Sequence, residues 1–301
     1  MTNQVDAAAR ARRLSLWSGE IDIAPLTGGL SNESYTVVSG GEKYVVRIGA
    51  DLPFHHVFRD HELMVARAAH AAGFSPEVVF AEPGVMVSRF IDGVTFDAAA
   101  VQTHIDALAD FIRQFHQQMP LGVSGGARLF WPFHVIRDYA QTLTRAESHH
   151  AALLPALLGL ADALEKLQQP MHFIFGHHDL LPANFIHDGD RLWLIDFEYA
   201  AFSTPIFDIA GVLAHGNVGA DASAYFMSRY FDRACTDDEA RAMCAMQCAA
   251  LLREAMWSMV SESFMSAPGV DYAEYTQENM TALKIAADGL SERFGIELPT
   301  L

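Results

Sequence analysis

Short apolar runs alternating with polar residues dominate the chain before Gly93, and longer runs at helical spacing dominate the rest. Between Ile21 and Ile48 the pattern reads as short strands, interrupted at Gly28 and Gly29. "EKYVVRI" puts Tyr44, Val46 and Ile48 on one face and Val45 and Arg47 on the other, the alternation of a strand. "FRDHELMVARAAHAAG" is alanine-rich and ends at Gly73, which reads as a helix with its stop signal. "PEVVFAEPGVMVSRFIDG" reads as two further strands around the turn "EPG".

Beyond Gly93 the spacing of apolar positions predicts helices over 104–118, 135–148, 151–168, 237–263 and 272–294. One strand-rich stretch breaks this run: "NFIH" and "RLWLID" flank "DGD", a strong hairpin signal. Residues 176–184 then form a loop entering the hairpin, and Asp196 stands where its second strand ends. The expected fold class is α+β, with a small β-rich lobe over 1–91 and a larger, mainly helical lobe over 92–301.

Composition narrows the function classes. Half of the 301 residues are hydrophobic (51%) and 19% are charged, as in a soluble globular protein. No apolar run reaches the roughly 20 residues that cross a bilayer, and the first residues lack the apolar core of a signal peptide, so membrane insertion is not expected and a cytoplasmic location is. The net charge of −17 disfavours nucleic acid as a partner and suits a cationic small molecule. Cys235, Cys244 and Cys248 lack paired spacing and read as buried reduced thiols. His55, His56, His149 and His150 read as surface or helix-end residues. Oligomeric state is left open.

The chemistry concentrates in "FGHHDLLPANFIHDGDRLWLIDFEYA". Asp179 precedes Asn184 by five residues, and the hairpin turn brings Asp196 back beside Asn184. Two oxygen ligands, Asn184 and Asp196, suit a hard cation such as Mg²⁺, which takes its remaining ligands from water and phosphates. Asp179 is then available as a base for a hydroxyl nucleophile. His177 and His178 lack a third soft ligand at a fitting spacing, which counts against zinc hydrolase chemistry.

This order, H-x-D-x-x-x-x-N then a hairpin and D-F-x, matches the phosphotransferase layout of the protein-kinase type. His178 stands where protein kinases carry Arg, Glu198 replaces the Gly of D-F-G, and the A-P-E segment is missing, so a protein acceptor is not expected. "HHDLLPAN", "LIDFEYA" and "FDIAGVLAH" resemble the choline/ethanolamine kinases, within the wider aminoglycoside phosphotransferase-like group. "GGLSNESYTV", "YVVRI" and "SRFIDGVTF" resemble their nucleotide loop, their arginine-bearing strand and their hinge. The resemblance runs from about Leu26 to Met280. It implies a protein-kinase-like two-lobe fold, with a nucleotide-binding N-lobe and a catalytic and substrate-binding C-lobe.

The resemblance also implies roles. Asp179 would accept the acceptor's hydroxyl proton, with His177 bracing the loop and Asn184 completing the catalytic set. Asn184 and Asp196 would hold Mg²⁺, with Glu198 close to the metal. ATP would be held by the loop of Gly28, Gly29 and Asn32. Arg47, paired with Glu62, would hold its phosphates, and Arg89 to Ile91 would offer backbone groups to adenine. Asp208, at a helix start, would brace the catalytic loop and cap the helix.

Choline kinases carry two tryptophans three apart on one helix. "REAMWSM" keeps the second as Trp257 and puts Glu254 at the first, and Tyr272 and Tyr275 could add aromatic faces. A quaternary ammonium is recognised by aromatic faces, so a carboxylate at Glu254 favours a cation that donates hydrogen bonds, such as ethanolamine. The expected activity is transfer of the ATP γ-phosphoryl to a small cationic alcohol. The alternatives are a small-molecule kinase with an aminoglycoside, sugar or homoserine acceptor, and a catalytically silent ligand-binding protein of the same fold.

Overall fold

The computed structural model describes residues 7–26, 32–126, 128–266 and 270–300. The elements begin with α1 (Ala7–Arg12), β1 (Ile21–Leu26), β2 (Glu33–Ser39), β3 (Glu42–Ile48), α2 (Arg59–Ala71), β4 (Val78–Glu82), β5 (Val85–Arg89) and β6 (Val94–Thr95). They continue with α3 (Ala98–Thr103), α4 (Ile105–Gly122), α5 (Pro132–Arg145), α6 (Leu154–Glu165), β7 (Ile174–Gly176), β8 (Phe185–His187), β9 (Leu192–Leu194) and β10 (Ala201–Ser203). Four helices end the chain: α7 (Ile206–His215), α8 (Ala220–Phe231), α9 (Asp237–Phe264) and α10 (Tyr272–Phe294). They gather into two compact units. The first holds Met1–Thr95, Gly122–Ser124 and Asn184–Glu198, and the second holds Phe96–Leu121, Gly125–Ala183 and Tyr199–Leu301.

The first unit is built on an antiparallel sheet of order β1-β2-β3-β5-β4. Gly40 and Gly41, both at positive φ, make the two-residue turn between Ser39 and Glu42, a conformation that bulkier residues resist. One sheet face buries Val37, Val46, Val85 and Val87 against Ala11 and Leu14. The Trp17 indole fastens to the Ala11 carbonyl at 2.7 Å. Arg47, of opposite parity to Val46, is thereby left to the other face.

The expected hairpin forms as β8 and β9, with Gly189 at φ 105° in its turn. β6 adds a third strand that the alternation pattern did not predict, pairing Val94 with His187. The hairpin belongs to the first unit, where Leu194 N–H donates to the Phe74 carbonyl at 2.8 Å.

The second unit is helical around α9, which packs against α5, α6, α7 and α10. A reciprocal capping box of Thr236 and Glu239 starts α9, and Asp271 caps α10. The predicted α9 and α10 agree with the structure at nearly every boundary. α4 runs past its expected end and through Pro120 to Gly122. α6 starts later than expected, at Leu154, because a 3₁₀ turn over His149–Leu153 precedes it. α7, whose start the "FDIAG" segment marked, is buried on almost every side. α1, α3, α8 and the β7–β10 pair were not anticipated. The three cysteines are free thiols: Cys248 is buried, whereas Cys235 and Cys244 are only half-buried.

Candidate active site

Within the first unit, strand β3 and helix α2 put Arg47 and Glu62 side by side. Arg47 Nη1 lies 2.6 Å from Glu62 Oε1, and its Nη2 lies 2.7 Å from Asp196 Oδ1. A second guanidinium joins them. Arg59 Nη1 lies 2.7 Å from Glu62 Oε2 and 3.0 Å from Glu198 Oε2. Two arginines thus face three carboxylates, so negative charge is in excess. Burial, then the neighbouring Asp196 carboxylate, pushes the Glu198 carboxyl up to about 7. Asp196 stands in the left-handed region at φ 71°, a conformation aspartate tolerates better than most residues. Asn184 is buried, and its carbonyl accepts from Ile195 N–H at 3.1 Å, which pins it to the strand end before Asp196. A broad cavity on this unit is lined by Arg47, Glu62, Arg59 and Asn32 among others. Gly28 and Gly29 lie outside the described residues.

Asp179 belongs to the second unit, five residues before Asn184 along the chain. A buried network fixes its loop. Asp208 accepts from the backbone N–H groups of His177 and His178, both at 2.7 Å, and meets His116 Nε2 at 2.8 Å. Burial opposes a charge on Asp208, yet the His178 and His116 imidazoles hold it well below the usual carboxylate range. Gly176 is required here, because a Cβ would come within 2.4 Å of the His178 ring and 2.8 Å of Asp208 Oδ2. The Asp179 N–H donates to His177 Nδ1 at 3.2 Å, which ties the two residues together within the loop.

Helix α9 brings Arg253 to the same loop. Its buried guanidinium donates to the His178 carbonyl at 3.2 Å and lies 3.5 Å from Asp179 Oδ1. It also binds Glu254 Oε2 at 2.6 Å, while the Tyr275 hydroxyl donates to Glu254 Oε1 at 2.7 Å. The Trp257 indole donates to the Tyr199 hydroxyl at 2.9 Å, and its ring centroid lies 6.1 Å from Tyr272 and 6.3 Å from Tyr275.

Residues 22–244 match the family described as "Phosphotransferase enzyme family". The chain belongs to that family. Among relatives of this chain, a protein named LicA from Haemophilus influenzae is 23% identical over 207 residues, which are 67% of this chain and 61% of that protein. The chain thus spans about three fifths of that relative's length. A choline/ethanolamine kinase family protein from Mesorhizobium loti superposes with a TM-score of 0.72 at 24% identity, covering 94% of both chains. The choline kinase LicA from Streptococcus pneumoniae does so at 0.72 and 20% identity, covering 92% of this chain and 95% of that one. These likenesses establish the kinase-like fold, with its small antiparallel sheet and its helical C-terminal part.

Several expectations change in detail. Asp208 lies inside the first turn of α7 and Pro205 occupies the cap position, so Asp208 braces the loop without capping the helix. Glu254, expected to favour a cation that donates hydrogen bonds, has a guanidinium and a phenol on its two oxygens. Arg89 N–H donates to the Glu77 carbonyl and Phe90 N–H to the Lys43 carbonyl, so those two donors already serve the sheet. His55 is fully buried rather than on the surface. Sequence reasoning missed Arg59 and Arg253. Each is a basic residue within three positions of a singled-out glutamate on a helical stretch, which was the available signal.

Proposed function

We propose that this phosphotransferase moves the γ-phosphoryl of ATP to the hydroxyl of a small amino alcohol. The observation that carries the reading is Arg47 held between Glu62 and Asp196. The α2 glutamate and the hairpin aspartate together aim one permanent cation, as phosphoryl transfer requires. The nucleotide-binding part is assigned to the N-terminal lobe and the acceptor-binding part to the C-terminal lobe.

In this reading Asn32 and the glycine loop of Gly28 and Gly29 cover the nucleotide, and the segment from Arg89 to Ile91 borders adenine. Arg47 neutralises charge on the phosphates. Asn184 and Asp196 would hold Mg²⁺, with Glu198 beside them. The donor set fits: Asn184, Asp196 and Glu198 offer only oxygen, and the three carboxylates of the cluster outnumber its two guanidiniums, so a cation is favoured there. When bound, the ion would stabilise charge on the transferring group. Asp179 accepts the proton of the attacking hydroxyl, and His177 and Arg253 keep it in place.

The acceptor is a small cationic alcohol. Trp257, Tyr272 and Tyr275 form an aromatic cluster able to face an ammonium group. Because Arg253 and Tyr275 already occupy Glu254, that carboxylate gives less reason to prefer ethanolamine over choline than the sequence alone suggested. Purified protein with ATP, Mg²⁺ and a panel of choline, ethanolamine, homoserine, a sugar and an aminoglycoside tests the reading. Transfer to an amino alcohol is expected, with kcat falling about 10²- to 10⁴-fold in Asp179→Ala while nucleotide binding persists. Transfer to none of them, or an unaltered kcat in Asp179→Ala, would refute it.

A further inference from the structure

The 3₁₀ turn at His149–Leu153 and the C-terminal part of α9 meet at Glu262. His150 Nε2 lies 3.1 Å from both Glu262 oxygens, and His149 Nε2 lies 3.5 Å from Glu262 Oε2. The two imidazole rings are 3.9 Å apart between centroids, and each has its Nε2 near the same carboxylate oxygen. One ligand atom from each of the three residues falls within 4.8 Å of the others. We propose that His149, His150 and Glu262 form a binding site for a divalent transition-metal ion of the Zn²⁺ or Ni²⁺ class.

Three features support the assignment. The first is size. Ligands about 2.0–2.1 Å from a tetrahedral metal lie roughly 3.3 Å apart, and the observed separations of 3.1 and 3.5 Å bracket that value. The second is donor chemistry. Two imidazoles and one carboxylate suit a borderline-soft ion, whereas Mg²⁺ prefers an all-oxygen set such as Asn184 and Asp196. The third is support from behind. Thr276 Oγ1 on α10 donates to Glu262 Oε1 at 2.6 Å, and also meets Ser258 Oγ at 2.8 Å. A ligating carboxylate oriented by such a hydrogen bond is a recurrent feature of built metal sites. The turn is itself anchored, since Ser148 Oγ accepts from His150 N–H at 3.3 Å.

The His149 side chain is 73% exposed, so an ion can enter without unfolding anything, and three protein ligands leave a position for water. Occupancy would clamp the 3₁₀ turn to α9 and, through Thr276, to α10.

The test uses the full-length chain without a histidine tag. Isothermal titration with Zn²⁺ alone and with Ni²⁺ alone should show one saturable site, and Zn²⁺ should raise Tm. Cobalt(II) substitution should give the visible absorption of a tetrahedral nitrogen- and oxygen-ligated ion. His149→Ala alters an exposed side chain and should fold normally, yet weaken Zn²⁺ binding roughly tenfold or more. Glu262→Gln, which keeps an acceptor for Thr276, should weaken it further. Absence of a saturable site, or a site that both variants retain at full affinity, would overturn the proposal. Neither readout depends on catalytic turnover.

Discussion

Two charge networks, one in each unit, differ in how completely they satisfy themselves. In the second unit the single Asp208 carboxylate is fully buried and meets two backbone N–H groups and the His116 imidazole. In the first unit Arg47 and Arg59 share three carboxylates, the Asp196 side chain is 28% exposed, and the Glu198 carboxyl is driven upward by burial. A closed network stiffens a loop. An open one leaves a surplus of negative charge beside a partly exposed carboxylate. Burial of charge alone therefore does not separate the two clusters, and the balance of charge within each does.

The largest expected effect tests the closed network. Asp208→Ala removes the partner of two backbone N–H groups and of the His116 and His178 imidazoles in a buried site and should cost about 3–5 kcal/mol, read as a lower denaturant midpoint. A loss below 1 kcal/mol would contradict its role as a brace. Next, Arg47→Ala should lower kcat by about 10²- to 10³-fold. Its stability loss should be smaller than that of Asp208→Ala, because Glu62 keeps Arg59. Equal stability losses in the two variants would erase the distinction between the networks.

A smaller effect concerns Glu254. If its charge belongs to Arg253, a double-mutant cycle of Arg253→Met and Glu254→Gln should return a coupling energy of about 0.5–3 kcal/mol in stability. Additivity would return Glu254 to the acceptor. The smallest effect is a pH trend. The Glu198 carboxyl is raised in the folded state from 4.5 to about 7, so its contribution to stability is fullest below 4.5 and is lost as pH rises through about 7. In Mg²⁺-free buffer the Tm of the wild type should therefore fall relative to Glu198→Gln between about pH 5 and pH 8. A constant difference across that range would show that Glu198 is not strained.

Much of this was legible before any coordinates. The hairpin announced itself through "DGD" between apolar runs, and the order Asp179, Asn184, Asp196 matched the phosphotransferase layout of the protein-kinase type. Arg47 was separable from Val46 by strand parity alone. The spacing of "REAMWSM" put Glu254 and Trp257 on one turn of a helix. It could not reveal that Arg253 and Tyr275 would occupy the glutamate, because Tyr275 comes from α10 and lies 21 positions further on.

Alone, the sequence determined what short-range physics controls: strand alternation, helical period, turn glycines, and the spacing of chemical groups along one continuous segment. Only the tertiary structure decided which distant charges meet. Arg59 reaches Glu198 across 139 positions, and His150 reaches Glu262 across 112. Asp208 serves the loop at His177, 31 positions before it, rather than its own helix end. Local patterns record the few residues on either side of a position. Partners so far apart along the chain are chosen by how helices and sheets pack, and that choice leaves no periodic trace.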